Sequence, residues 1–280
     1  EGKLYAFLEK AADADPTLKV ERDEDTGQTV ISAIGEAQVS VLLDRLEDRA
    51  GVTAHTVALR IPYRETIRRV ASAQGRHKKQ TGGAGQYGDS SPRIEPHQAA
   101  GYECADEVVG GHIPRGFIPA IDKGVQETMR EGVLAGYPMI DIKCAVYDGS
   151  YHPVDSNEMA FKTAARIGFQ KAVDQAEPVL LEPMAHLVVT VPESYAGSVM
   201  GDVSASRGRV EGMEAAGAGE TKVSATVQYA EVTDYATRLR SLSRGTGEFE
   251  LEIVGYEQVP HDVQQKLSQE YQDRRAAGQK

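Results

Sequence analysis

The fold of this chain is read most directly from Leu187-Val-Val-Thr-Val-Pro-Glu-Ser-Tyr-Ala-Gly-Ser-Val-Met-Gly-Asp-Val203. Positions 187, 189 and 191 alternate as in a half-buried strand, and Tyr195, Val199 and Val203 then recur at helical spacing. Further strands are predicted at residues 210–214, 223–229 and 249–253, and a second helix at residues 235–242. The order β-α-β-β-α-β is that of a ferredoxin-like unit.

The N-terminal residues repeat most of that order. Helices are predicted at residues 2–13 and 36–49, and strands at residues 18–22, 29–33 and 53–59. The result is α-β-β-α-β, a ferredoxin-like unit without its first strand. Because the chain also does not begin with Met, we expect that strand upstream of Glu1 and the chain to be part of a longer protein.

The middle of the chain has a different pattern, which mixes strands with two amphipathic helices. Strands are predicted at residues 63–70, 91–96, 102–109 and 139–147, and helices near residues 118–129 and from Asp155 or Ser156 onward, one of which is the expected N-cap. The Pro-bearing residues 177–183 are predicted to be a linker, and residues 261–280 a polar helix that packs weakly.

Length and charge limit the function classes. A chain of 280 residues suits two or three domains, and its net charge of -11 excludes indiscriminate nucleic-acid binding. Cys104 and Cys144 lie in apolar, strand-like surroundings, which favours buried thiols in a reducing cytosol over a disulfide. No apolar run reaches membrane-spanning length, and no signal peptide opens the chain. We therefore expect a cytoplasmic protein without a membrane partner.

Two glycine-bearing segments are the main candidates for binding. The first, Arg76-His-Lys-Lys-Gln-Thr-Gly-Gly-Ala-Gly-Gln-Tyr-Gly88, places cations beside a glycine run, and the second is Asp148-Gly-Ser-Tyr-His-Pro-Val-Asp155. A backbone without side chains can approach RNA closely while neighbouring cations neutralise phosphates. The alternative is that the glycines only permit a hairpin and that a lone loop histidine, His152, is merely solvated. A nucleotide-binding P-loop would need Gly-x-x-x-x-Gly-Lys-Ser/Thr, which the sequence lacks.

Catalytic and metal sites are not indicated. Asp155 is explained as a helix cap and Asp148 as a turn residue, and no Cys/His cluster has the spacing of zinc ligands. The arginines of the C-terminal third include Arg207 and Arg209, which flank a glycine at a predicted turn and are candidates for a phosphate contact. The residues therefore predict a binding and positioning module rather than an enzyme.

The chain resembles the elongation factor G family of translational GTPases. The resemblance is to the three domains that follow the GTPase domain and its adjoining barrel. The resemblance extends nearly end to end. It rests on these stretches: Asp15-Pro-Thr, Thr26-Gly-Gln-Thr-Val-Ile-Ser-Ala-Ile-Gly-Glu36, Asp44-Arg, Pro62-Tyr-Arg-Glu-Thr-Ile67, Gln80-Thr-Gly-Gly-Ala-Gly-Gln-Tyr-Gly88, Gly116-Phe-Ile-Pro-Ala-Ile-Asp-Lys-Gly124, Asp148-Gly-Ser-Tyr-His-Pro-Val-Asp-Ser156, Pro178-Val-Leu-Leu-Glu-Pro183, Gly201-Asp and Arg207-Gly-Arg-Val.

The resemblance implies an α+β fold in which two ferredoxin-like α/β sandwiches flank an arm domain like ribosomal protein S5, with βαβ elements. The implied boundaries are residues 1–60, 61–178 and 179–258, with a C-terminal helix or tail at 259–280. The arm implied by the family enters the ribosomal decoding site. The RNA- or ribosome-binding residues predicted on this basis are Lys78, Lys79, Thr81, Gly82, Gly83, Ala84, Gly85, Gln86, Tyr87, Ser150, Tyr151, His152, Asp155, Arg207 and Arg209.

The same resemblance implies the partners and the cofactors. The partners are the decoding centre and the sarcin–ricin loop of ribosomal RNA, the tRNA–mRNA pair and the protein's own N-terminal GTPase domain, with the protein acting as a monomer. No cofactor is expected in this fragment, since GTP and Mg²⁺ would bind the missing GTPase domain. The fragment itself is expected not to be an enzyme, although its parent is a GTPase that promotes translocation.

Two alternatives stay open. After Gly35-Glu36 the family shows a His-bearing segment, whereas Ala37-Gln-Val-Ser-Val-Leu-Leu43 follows here. The chain is therefore either part of the main translocase or part of a paralogue that acts in ribosome recycling or ribosome protection. From another class, a stand-alone RNA-binding module remains open if Glu1 is a true start.

Overall fold

The computed structural model describes residues 2–23, 26–80, 85–98 and 100–278. The fold is mixed α+β, with several sheets and helices, which confirms the predicted fold class. Two compact units are formed, one from Glu1–Pro62 with Pro183–Gly255 and one from Tyr63–Glu182 with Tyr256–Lys280. We call them the first and the second unit; the predicted boundaries of three separate domains remain a prediction.

The N-terminal part of the first unit is a small α-β-β-α arrangement. Its elements are α1 (Gly2–Ala14), β1 (Lys19–Arg22), β2 (Thr29–Ser32) and α2 (Glu36–Ala50). The two strands pair antiparallel, with Lys19 opposite Ser32. Leu8, Leu18 and Leu42 are buried together between the helices and the hairpin, as their helical and alternating spacing requires.

The strand predicted at residues 53–59 is wrong. Residues 51–63 carry no strand, and Val57 is 68% exposed. The Gln28 side chain bonds to the backbone of this segment: its amide nitrogen donates to the Ala58 carbonyl at 3.0 Å. The Gln28 amide oxygen accepts from the Arg60 backbone N–H at 2.8 Å. None of residues 51–60 is buried, and the segment does not pair as a strand.

The second unit contains a sheet covered by two helices. The elements that follow α2 are β3 (Arg64–Ile67), β4 (Ala71–Ser72), β5 (Gly75–Lys79), β6 (Gln86–Pro96), β7 (Tyr102–Asp106), α3 (Ile118–Glu131), β8 (Ile142–Ser150) and α4 (Glu158–Gln175). The sheet order is β4-β6-β8-β7, and β5 also pairs with β6. Because β7 and β8 are parallel and joined through α3, they form the expected βαβ element. Ile94, Ile142 and Phe161 lie in the hydrophobic core of the second unit.

The β5–β6 hairpin lies unusually close to α4, and glycines make this possible. A Cβ atom added to Gly75 would be 2.0 Å from the Ala164 carbonyl oxygen, and one added to Gly88 would be 2.3 Å from the Ala160 carbonyl oxygen. Real Cβ atoms do not come so close to another backbone. The hairpin therefore rests directly on the helix backbone at these two points.

Glu65 in β3 is completely buried and organises the loop between α3 and β8. One carboxylate oxygen accepts the backbone N–H groups of Val133 and Leu134 at 2.8 and 2.9 Å. The other accepts those of Ala135 and Tyr137 at 2.8 and 2.9 Å. A buried carboxylate is tolerated only when its lone pairs are satisfied, and four backbone donors do so here.

The C-terminal part of the first unit has the predicted order of elements. These are β9 (Pro178–Pro192), α5 (Glu193–Ala205), β10 (Arg209–Gly217), β11 (Glu220–Gln228), α6 (Tyr235–Leu242) and β12 (Glu248–Gln258). The strand order is β10-β11-β9-β12, which is the ferredoxin-like arrangement. Leu187, Val189 and Val191 are buried against Val199 and Val203 of α5, as their spacing predicts.

The predicted linker is wrong. Residues 178–183 belong to β9, where Leu180 is completely buried and Pro178 to Leu181 pair with β3. The C-terminal helix α7 (His261–Ala276) has no buried residue, and the Gln264 amide oxygen accepts from the Leu180 N–H at 3.0 Å. Val263 and Leu267 are partly buried and pack against the cluster of Ala135, Leu180 and Val259. Among the helices described, none is long and apolar enough to cross a membrane.

Candidate nucleic-acid interface

The described residues of the first candidate segment belong mainly to β5 and β6, which pair antiparallel. Lys79 pairs with Gln86 and Lys78 with Tyr87, so the strands are in register up to the glycine run. Four residues of the predicted interface lie outside the described residues: Thr81, Gly82, Gly83 and Ala84. Gly85, which follows these four residues, lies next to Asp155 of the second candidate segment.

The second candidate segment follows β8 and is folded around the backbone and ring of His152. The His152 N–H donates to the Ser156 hydroxyl at 2.8 Å, and the Ser156 N–H donates to the His152 carbonyl at 3.1 Å. The ring atom Nδ1 accepts from the N–H groups of Val154 at 3.3 Å and Asp155 at 3.1 Å. With Nδ1 as an acceptor, the proton of the neutral ring lies on Nε2. The half-exposed imidazole (side chain 51% exposed) thus offers an N–H donor.

Tyr87 joins the two segments through three different groups. Its N–H donates to the Asp155 carbonyl at 2.8 Å, and its carbonyl accepts from the Ser156 hydroxyl at 2.9 Å. Its phenol oxygen lies 2.7 Å from the Ser150 hydroxyl. The Tyr87 and His152 ring centroids are 6.3 Å apart. The structure therefore brings together the described parts of both predicted segments, while their role in RNA binding remains a prediction.

A surface concavity of about 340 Å³ lies where the segments meet. The Arg76 guanidinium lies 5.3 Å from the centroid of the Tyr87 ring, a cation–π distance. The concavity is lined by Arg76, Lys78, Gln80, Gln86, Tyr87, Ser150, Tyr151, His152 and Asp155.

The predicted set of site residues missed part of one strand face. Side chains alternate between the faces of a strand, so Arg76, Lys78 and Gln80 share the face that lines the concavity. Lys79, which the prediction included, alternates to the other face. The period-two spacing of these residues could have identified Arg76 and Gln80 from the sequence.

Asp155 does not cap α4, contrary to the prediction. The N-cap is Asn157, whose side-chain oxygen accepts from the Ala160 N–H at 2.9 Å. The Asp155 carboxylate instead lies against Gly85, where an added Cβ would be 2.5 Å from the carboxyl carbon. Gly85 therefore leaves the space that Asp155 occupies beside His152.

Asp148 is not a turn residue either, because β8 extends through it to Ser150. Its carboxylate oxygen Oδ1 lies 3.1 Å from Nδ1 of His112 and accepts from the Gly149 N–H at 2.8 Å. These contacts, His112 first, hold the pKa of Asp148 below its usual range. An acid of lowered pKa that is already paired is a poor general acid near neutral pH.

The two remaining predicted residues belong to the first unit, not to the concavity. Arg207 has a left-handed backbone with φ of 57°, and its guanidinium contacts the Glu231 carboxylate at 3.0 Å. Arg209 is the exposed first residue of β10. Glu231 neutralises part of the positive charge that the prediction assigned to Arg207.

The cysteines and potential metal ligands show no reactive arrangement in the described part of the chain. Both cysteines are free thiols, with Cys144 buried and Cys104 half-buried. Burial raises the pKa of Cys104 to about 11 and also raises the pKa of Cys144. Both therefore stay protonated and weakly nucleophilic at neutral pH. Across residues 2–23, 26–80, 85–98 and 100–278, no group of three or more His, Cys, Asp or Glu side chains is placed to hold a metal ion.

Comparison with known protein families covers nearly the whole chain. Residues 1–58 match elongation factor G domain III, residues 59–177 match elongation factor G domain IV, and residues 179–267 match the elongation factor G C-terminus. All three matches are to domains of one family, in the order in which they occur along this chain.

Two relatives illustrate the extent of the similarity. The chain is 45% identical over 269 residues to an elongation factor G-like protein of Thermotoga maritima, covering 96% of this chain and 39% of that protein. A Thermus thermophilus protein of known crystal structure is 42% identical, with a TM-score of 0.85 over 97% of this chain and 41% of its own. The chain therefore spans about two fifths of the length of these relatives.

Proposed function

Since the chain belongs to the elongation factor G family, we propose that it is the ribosome-binding part of a translation factor that moves tRNA and mRNA. The hairpin and loop joined by Tyr87 would enter the decoding site in the small ribosomal subunit. Residues near Arg207 and Arg209 would lie at the sarcin–ricin loop. GTP and Mg²⁺ would be bound by a GTPase domain outside these residues, and the protein would act as a cytoplasmic monomer.

The linked pair of loops is the observation that supports this proposal most directly. The Arg76 and Lys78 cations line the concavity beside the half-exposed His152, although the whole chain carries a net charge of -11. Cations on a local surface of an acidic protein contact phosphates there without attracting RNA elsewhere. A tip with this charge distribution suits insertion into one RNA-lined cleft.

A paralogue function is the second candidate. The relative at 45% identity is called elongation factor G-like, and the segment after Glu36 departs from the His-bearing pattern of the family. A paralogue of this kind would act in ribosome recycling or ribosome protection. A complementation experiment separates the two candidates. The factor that contains this chain is expressed in cells depleted of their main translocase: growth supports the translocase function, and failure to grow supports the paralogue function.

The position on the ribosome can be tested with a local cleavage reagent. Val154 is 83% exposed beside His152, and Met213 in β10 is 58% exposed. Because burial keeps the native thiols protonated, an iron chelate at neutral pH attaches to a new cysteine at either position. We expect Val154→Cys to direct cleavage to decoding-site RNA and Met213→Cys to the sarcin–ricin loop. If the chain binds the ribosome but directs cleavage to other parts of the ribosomal RNA, the proposed position is refuted.

The role of His152 is tested by two substitutions in the factor that contains this chain. His152→Ala removes both the Nε2 donor and the Nδ1 acceptor, whereas the Asn side chain in His152→Asn retains an oxygen that can accept the nearby backbone N–H groups. We expect both variants to slow tRNA–mRNA movement roughly tenfold, equivalent to about 1.4 kcal/mol of barrier. Ribosome-stimulated GTP hydrolysis should stay unchanged.

Measurements of rate and stability on the same two variants distinguish a structural role of His152 from a role in RNA contact. If His152→Asn moves tRNA and mRNA at the normal rate, the histidine is needed for its turn and not for its Nε2 donor. A loss of unfolding free energy beyond about 2 kcal/mol in His152→Ala, the scale of a core lesion, would also make its role structural.

A further inference from the structure

Asp89 is a buried carboxylate directly behind the candidate interface. It lies in β6 two residues after Tyr87, opposite Ser150 in β8, and is only 6% exposed. Its oxygens accept from the Gln74 amide nitrogen at 2.8 and 3.1 Å and from the Ser150 hydroxyl at 2.7 Å. A carboxylate in this position is costly to bury, and these neutral donors compensate part of that cost.

The hydrogen bonds run in one direction from the surface to Asp89. A carboxylate only accepts hydrogen bonds, so the single hydroxyl proton of Ser150 points to Asp89. The Ser150 oxygen must then accept the phenol proton of Tyr87, 2.7 Å away. We call this chain, Tyr87 to Ser150 to Asp89, the tyrosine relay.

The relay fixes the ring on which the interface is built. The backbone of Tyr87 is already bonded to Asp155 and Ser156, and the relay adds the third point of attachment. A ring held at its hydroxyl end cannot pivot about its Cα–Cβ bond. The guanidinium of Arg76 and the imidazole of His152 lie next to this fixed ring.

We propose that Asp89 is a positioning residue, which sets the orientation of His152 and Arg76 for RNA contact through Ser150 and Tyr87. The proposal rests on the proposed function, since it assigns the relay to the same RNA-binding tip. The competing explanation is that Asp89 only stabilises the contact between β6 and β8.

Four variants test the links of the relay. Tyr87→Phe deletes only the phenol oxygen, Ser150→Ala breaks the middle link, and Ser150→Thr keeps a hydroxyl at the same place. We expect ¹⁵N NMR of the isolated chain to show altered His152 ring signals in Tyr87→Phe and Ser150→Ala, and normal signals in Ser150→Thr. Asp89→Leu removes the acceptor of the Ser150 proton and should give the same altered signals as Ser150→Ala.

Measurements of tRNA–mRNA movement on the ribosome then test whether the relay serves RNA contact. In the factor that contains this chain, Tyr87→Phe and Ser150→Ala should slow tRNA–mRNA movement about fivefold. Ser150→Thr, which keeps the hydroxyl, should leave the rate of movement normal. Unchanged His152 ring signals in Tyr87→Phe and Ser150→Ala would overturn the proposal. Altered signals with a normal rate would overturn it too, because the relay would then not serve RNA contact.

The same measurements separate this proposal from the proposed function. If the unmodified factor fails to bind ribosomes, the proposed function fails, and the assignment to RNA contact falls with it. If the unmodified factor binds and moves tRNA and mRNA while the variants behave normally, only the relay is refuted. A binding assay on the unmodified factor is therefore run first.

Discussion

Glu65→Gln is expected to lower the free energy of unfolding of the second unit by about 4 kcal/mol. The substitution turns one carboxylate oxygen into an NH₂ group that faces two backbone N–H donors. Either Val133 and Leu134 or Ala135 and Tyr137 then lose their acceptor. Each unsatisfied buried donor costs about 1–3 kcal/mol, so two of them account for the expected loss.

Urea denaturation followed by circular dichroism measures this effect. Glu270→Gln is the matched control, because Glu270 is exposed on α7 in the same unit, and it should change stability by no more than about 0.5 kcal/mol. Glu65→Ala leaves all four donors unpaired and should be worse than Glu65→Gln. A loss below about 1 kcal/mol for Glu65→Gln would mean that water replaces the lost acceptor.

Gly88→Ala is expected to destabilise the second unit by about 3 kcal/mol, at the upper end for an overpacked site. The new Cβ would lie 2.3 Å from the Ala160 carbonyl oxygen and 2.7 Å from the Phe161 nitrogen. These are backbone atoms of α4 and cannot rotate away as a side chain would. Strand β6 must therefore lift from the helix and carry Tyr87 with it.

Gly116→Ala provides the control for this substitution, since nothing lies within 4 Å of a Cβ there. Denaturation gives the stability, and amide hydrogen exchange at Tyr87, whose N–H donates to the Asp155 carbonyl, reports whether the two segments separate. We expect faster exchange at this amide in Gly88→Ala and normal exchange in Gly116→Ala. Normal stability in Gly88→Ala would show that β6 and α4 are farther apart in solution.

The C-terminal elements were predictable because each buries only one face. The alternation of Leu187, Val189 and Val191, and the helical spacing of Val199 and Val203, correspond directly to buried positions. The segment at residues 53–59 shows the limit of this reasoning. Thr53 to Leu59 has the local composition of a strand, yet Val57 is exposed and the Gln28 amide bonds to the backbone of Ala58 and Arg60 instead.

The candidate interface was predictable only in part, for a different physical reason. The glycines and cations of the first segment mark an exposed hairpin locally. The contacts that define the site depend on strand register, such as Asp89 opposite Ser150, and local spacing carries no information about register between distant strands. The same holds for Glu65, whose four donors lie about 70 residues away in sequence.

The attachment of Tyr87 has a consequence for biosynthesis. Its hydroxyl and carbonyl partners lie 63 and 69 residues further along the chain. The hairpin therefore leaves the exit tunnel well before the residues that anchor it, and contacts of such long sequence separation form late. A nascent chain arrested before residue 150 should accordingly have a hairpin that proteases cut easily, and one arrested well beyond residue 156 should resist them.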